Sequence, residues 1–176
     1  MSQRLDRLVG PVVVRTVTEE AHDGGHSEVF LELFPVRSIT AVVEFADGTA
    51  VPLAAETHTD RPAAAYLAGR YKPDRSLMSQ RLWRRSGGAD AVFAAGRSNI
   101  VVSYEAGRFD STDDVAQKYK NAAELILINL WRSQQDSVGA VSEYDVPASS
   151  FPAFAVPRAA RDMLLGEIQE SRVMLA

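Results

Sequence analysis

The sequence predicts an α+β protein: an antiparallel, hairpin-built β-rich part, then a long central helix and a C-terminal helix. Three observations predict it. β-Branched and alternating runs punctuated by Gly and Pro fill residues 11–107. The stretch AQKYKNAAELILINLWRSQQ keeps helical spacing throughout, and VPRAARDMLLGEIQ opens with Pro157 at a helix first turn. The expected organisation is a single domain over residues 1–170, β-rich over about 11–107 and helical over about 111–170, with 171–176 as a C-terminal tail.

In chain order, MSQRLDRLVG places Leu5, Leu8 and Val9 at helical spacing and reads as the last turns of a helix ending at Gly10-Pro11. PVVVRTVTEE reads as a strand, AHDGGH as a turn and SEVFLELFPV as the returning strand, which predicts a first hairpin. SITAVVEF and TAVPLAAE flank Asp47-Gly48, a two-residue turn signal that predicts a second. Short strands are expected near Ala65–Leu67 and Leu77–Trp83, and NIVVSYEAG closes the β-rich part.

Ser111, with Asp114 three residues on, predicts the start of the central helix, because a side-chain oxygen there can take an orphan amide proton and carboxylates suit the positive helix end. Val115, Tyr119, Ala122, Ala123, Ile126 and Leu130 then share one face. A second apolar set, Leu125, Leu127, Ile128 and Trp131, widens the stripe until the last turns are apolar almost all round. Such a helix needs cover on more than one side, and another copy of the chain can supply part of it. Residues 136–155, with Gly139, Pro147 and Pro152 and no sustained period, read as a long connection. The last predicted helix puts Ala160, Met163, Leu164 and Ile168 on one face.

Composition narrows the functional classes. At 176 residues and 46% apolar the chain can bury a core, and its net charge of −4 argues against wrapping nucleic acid over the whole surface. Cys is absent, which excludes disulfides, thiolate nucleophiles and thiolate zinc sites. No apolar run approaches the roughly 18 residues of a membrane span, and the start lacks a signal-peptide core. A chain made and used in a cytoplasm, without a membrane partner, is the expectation.

The candidate chemistry is sparse. His22, Asp23 and His26 carry metal-ligand side chains, but they sit on a turn with two glycines, and a solvated turn is the better reading. Gly24-Gly25 and Gly87-Gly88 lack a phosphate-loop context. His58 stands beside Thr59 and Asp60 without a nucleophile motif. Glu19, Glu20, Glu28 and Glu32 read as an exposed strand face. Arg70, Lys72, Arg75, Arg81, Arg84 and Arg85, with Tyr71 and Trp83 interleaved and Asp74 the lone acid, make a basic and aromatic patch of the kind that meets phosphates and bases. A solvated hairpin that offsets acids elsewhere is the plainer reading of it. Two alternatives to a structural role follow: a metal-binding protein or small metal enzyme using His22, Asp23, His26 and His58, and a nucleic-acid-binding module using the basic patch. No cofactor is expected.

The succession PVRSITAVVEFADGT, then GRSNIVVSYEAGRFDSTDDVAQKYKNAAELILINLWRSQQ, then VPRAARDMLLGE resembles the head-to-tail connector, or adaptor, proteins of tailed bacteriophages. The shared positions are Pro35, Val36, Ser38, Ile39 and Thr40; Tyr104, Ala106 and Gly107; Leu130 and Trp131; and Pro157, Leu164 and Leu165. Only Met1–Val9 stands where family members commonly carry two or more helices. The resemblance implies a connector-like helical core with a β-rich insertion. It also implies a non-catalytic virion protein, assembled in the host bacterial cytoplasm as a ring of usually twelve copies. The ring would dock on the portal protein, extend the channel through which genomic DNA passes, and offer a platform to the next connector or tail completion protein. By the resemblance, residues 157–176 form the portal-binding arm, through Pro157, Arg158, Arg161, Leu164, Leu165, Ile168, Val173, Met174 and Leu175. Leu127, Trp131, Val138 and Tyr144 would serve the subunit interface, and the six basic residues of the 70–85 patch would face the DNA channel.

Overall fold

The computed structural model describes residues 2–71, 74, 76–139 and 156–166. Its elements in chain order are α1 (Ser2–Val9), β1 (Arg15–His22), β2 (Glu28–Phe30), β3 (Val36–Ala46), β4 (Thr49–Pro52), β5 (Ala54–Ala55), β6 (Ala65–Arg70), β7 (Met78–Ser86), β8 (Ala89–Asp90), β9 (Ile100–Ala106), α2 (Gln117–Gly139) and α3 (Arg158–Met163). They divide into two compact units, residues 10–112 and residues 1–9 with 113–176.

The unit of residues 10–112 is a mixed sheet in the order β1-β9-β3-β7-β6-β5, with β4 on β3 and both β2 and β8 on β7. Every pairing is antiparallel except β5 with β6. β3 meets β7 only where Val36 faces Met78, and that one pairing links two groups of strands, β1-β9-β3 with β4 and β7-β6-β5 with β2 and β8. Both groups supply one core: Val36, Val42, Ile100, Val102 and Tyr104 from the first, Val29, Tyr66 and Leu82 from the second, with Leu53 and Phe93 from connecting segments.

This sheet overturns the expected connector-like helical core. Nine strands and three helices are present among the described residues, and the main apolar cluster lies between strands. The reason is visible in β9, where Ile100, Val102, Tyr104 and Ala106 are all buried and alternate with half-buried residues. A strand flanked by β1 and β3 along most of its length is an organising centre, not the edge of an insertion.

The Asp47-Gly48 hairpin forms as expected. Both residues have positive φ, 50° and 77°, the two-residue turn whose twist matches that of the flanking strands. Ala46 then faces Thr49 and Val43 faces Pro52. The first expected hairpin does not form: β1 pairs with β9, and β2 pairs with β7. The turn between β1 and β2 is captured by a distant segment. Gly24 and Gly25 donate their amide protons to the Gly96 and Phe93 carbonyls, and Asp23 accepts the Ser98 amide proton at 2.7 Å. The strands expected near Ala65 and Leu77 are β6 and β7, joined from Ala65↔Arg85 to Arg70↔Met78.

In the other unit, α1 ends at Val9 as expected. α2 starts at Gln117, six residues after the predicted start at Ser111, and the intervening residues form bends and turns closed by the Lys120 ammonium on the Asp113 carbonyl. It also runs through Asp136–Gly139, which the sequence assigned to the long connection; residues 140–155 lie outside the described part. α3 follows Pro157, packs against α2 and buries Ala160, and Leu164 just past its end is buried too.

Candidate interaction surface

α2 carries two stripes with opposite fates. Tyr119, Ala122 and Ile126 are buried, and Ala123 and Leu130 half-buried, on the face the sequence marked. Glu124, Leu127, Ile128 and Trp131 form a second stripe at i, i+3, i+4 and i+7, and all four are exposed. Leu127 is 51%, Ile128 40% and Trp131 62% exposed, unusual for large apolar side chains one turn apart. The expectation for Leu127 and Trp131 therefore lands on real surface. Val138 lies in α2 without a described side chain, and Tyr144 lies outside the described residues.

Next to it in the chain order of the same unit, α3 presents a mixed surface. Val156, Arg158, Arg161, Asp162 and Leu165 line a shallow depression of about 410 Å³. Arg158 and Asp162 face each other across one turn at 3.8 Å, and both are well exposed, so their attraction is weak. Of the residues expected to grip a portal, Leu165 is 71% exposed and Arg158 and Arg161 are exposed, but Leu164 is buried inside the unit and cannot meet a partner without leaving it. Ile168, Val173, Met174 and Leu175 lie outside the described residues.

The basic patch is scattered by the strand pairing. Arg84 turns inward: Nε and Nη2 lie 3.2 and 3.1 Å from Glu44 Oε2, while Glu44 Oε1 accepts the Ala94 amide proton. Arg85 donates to Glu56, to Asp90 and to the Gly88 carbonyl. Both guanidiniums are thus held by carboxylates of the same unit, and a phosphate would have to compete for them. Arg70 is exposed; Lys72 and Arg75 lie outside the described residues. Among the described residues of the patch, Arg81 keeps an outward position with aromatic company. Its guanidinium sits over the Phe30 ring at 4.9 Å and near the Trp83 ring at 5.6 Å, with Glu28 at 3.3 Å.

The histidines diverge. His22 Nε2 lies 2.8 Å from Glu20, Asp23 is engaged by the Ser98 amide, and His26 is exposed. His58 is exposed in a turn closed by Thr57 and Asp60. Among the described residues no three such side chains stand close enough to hold a metal ion.

The sequence missed Glu20. Instead of lying on an exposed face, its carboxylate accepts the Tyr104 phenol proton and the Glu32 amide proton, at 2.5 and 2.8 Å. It also missed that Phe30, Leu67, Arg81 and Trp83 share one outer sheet face, since that follows from the pairings Phe30↔Arg81 and Leu67↔Trp83. Alternation along each strand was the available signal; which strands would adjoin was not. Compared with known protein families, curated proteins and solved structures, the chain matches none of them.

Proposed function

We propose that this chain is a structural adaptor of a tailed-phage head-to-tail junction, whose copies close into a ring on the portal protein, surround the path of the DNA and present a platform to the next tail component. It acts by binding, not by catalysis. The reading draws nothing from a helical core. The observation that carries it is the exposed Leu127, Ile128 and Trp131 stripe on α2, a surface a second copy can complete, joined to the ordered motifs that resemble the adaptor family.

Magnitudes say how such a ring would behave. Burying the half-exposed Leu127 and Ile128 contributes about 1 kcal/mol each and Trp131 a few more, roughly 5 kcal/mol in all. Association costs about 4–15 kcal/mol in lost freedom. The free chain is therefore expected as a monomer, and the ring forms where a docking platform holds copies side by side.

The test mixes the purified chain with portal-bearing capsids and looks for ring density at the vertex by electron microscopy. Leu127→Ser with Trp131→Ser is expected to remove the ring while the free monomer keeps its circular dichroism spectrum and melting temperature. A ring that still forms with both substitutions, or no ring with the unsubstituted chain, overturns the reading.

A further inference from the structure

A closed ring needs two different surfaces on each copy, one for each neighbour. The α2 stripe is one. We propose that the other is the outer face of β2, β7 and β6, and that Glu124 of one copy docks against Arg81 of the next; this rests on the adaptor reading above.

The two surfaces match in composition, size and charge. On the sheet, Phe30 is 46% and Leu67 38% exposed, and they flank Arg81 and Trp83, which neighbour each other along β7 on the same face. On the helix, Leu127, Ile128 and Trp131 flank Glu124. Each is an apolar patch that carries charge: on the sheet the Arg81 guanidinium beside its partner Glu28, on the helix the Glu124 carboxylate. From residue 124 to 131 the helix advances roughly 10 Å, and three adjacent strands span roughly 10 Å. Glu28 holds Arg81 at 3.3 Å from one side only, in a half-exposed pair, so the guanidinium retains donors for a second carboxylate. Stacking on Phe30 and Trp83 fixes its plane in advance, which lowers the ordering cost of docking.

Absence of Cys makes a direct test possible. A chain carrying Arg81→Cys and Glu124→Cys, assembled on portal-bearing capsids and oxidised, is expected to give a disulfide-linked ladder that extends past the dimer up to the ring. Either substitution alone gives dimers at most. No ladder from the double variant overturns the proposal. If the α2 substitutions still remove the ring in that case, the adaptor reading survives and only the partner face is wrong. Charge reversal supplies a second readout. Arg81→Glu and Glu124→Arg are each expected to raise the half-saturating concentration for ring formation at least about tenfold, and the combined variant to restore it. Failure of the combined variant to recover, with each monomer folded, counts against the contact. The aromatic and cationic face could instead serve single-stranded nucleic acid. Quenching of tryptophan fluorescence by oligothymidylate in the free monomer, abolished by Arg81→Glu, would assign the face to that ligand and overturn the proposal.

Discussion

Tyr104, wholly buried on β9, donates its phenol proton to the Glu20 carboxylate on β1 at 2.5 Å and accepts the Leu33 amide proton at 3.0 Å. The contact exists because β1 slips register between Val17 and Glu20, with Glu19 at φ 56° and its amide proton on Ser103. A bulge of this kind re-aims the next side chain, and here it brings Glu20 over the tyrosine.

Burial, then the adjoining Glu20, pushes the Tyr104 phenol pKa far above its ordinary value near 10. The unfolded chain releases that proton near pH 10 while the folded chain keeps it, so the stabilisation is whole below pH 10 and is lost as pH rises beyond it. Tyr66, also raised by burial, adds to the same alkaline slope. Tyr104→Phe is expected to shallow the slope and to cost about 1–3 kcal/mol at neutral pH by stranding the Leu33 amide. Urea midpoints at neutral pH and above pH 10 measure both effects, and an unchanged neutral midpoint would refute the second.

Glu44 and Arg84 are an ion pair in which the side chains are only 5% and 12% exposed. Glu44→Ala removes the carboxylate that holds Arg84 and the acceptor of the Ala94 amide, with an expected loss of about 3–5 kcal/mol. Glu44→Leu with Arg84→Met, which leaves no uncompensated charge, is expected to recover a large part of it. A double-mutant cycle in urea is the measurement; additive losses would show that the two residues do not act as a pair.

The stripes of α2 predict a contrast between adjacent residues. Ile126→Ala opens a cavity at a buried position and is expected to cost about 2–5 kcal/mol. Leu127→Ala, on the exposed stripe, is expected to change monomer stability by no more than about 0.5 kcal/mol. Thermal unfolding of the two variants decides it, and equal losses would mean that Leu127 is not surface.

Gly107 follows the Tyr104 strand and has φ 139°, and a Cβ there would lie 2.7 Å from the Val14 Cα. Gly48, at φ 77°, has open space around it. Gly48→Ala is expected to cost about 1–2 kcal/mol from backbone strain alone. Gly107→Ala, which must also push backbone away, is expected to cost at least about 2 kcal/mol more. Comparable denaturation midpoints would show that the chain yields easily at Gly107.

What the sequence determined by itself is local. Helical spacing marked Tyr119, Ala122 and Ile126 as the inward face of α2, Asp47-Gly48 placed the β3–β4 turn, and NIVVSYEAG read as the strand that closes the β-rich part. Each of these depends on residues within a turn or two of one another, where backbone geometry leaves few choices. The tertiary structure alone decided that β1 joins β9 and β2 joins β7, and with them the Glu20–Tyr104 contact, the inward turn of Arg84 and the Arg81 stack. Strand edges offer the same amides and carbonyls to any neighbour, so partner choice rests on register, on the turn captured by Gly96 and Ser98, and on which inner faces fill one core. That is also why the six basic residues between 70 and 85 look alike in order along the chain, yet Arg84 and Arg85 are drawn to carboxylates while Arg81 remains at the surface.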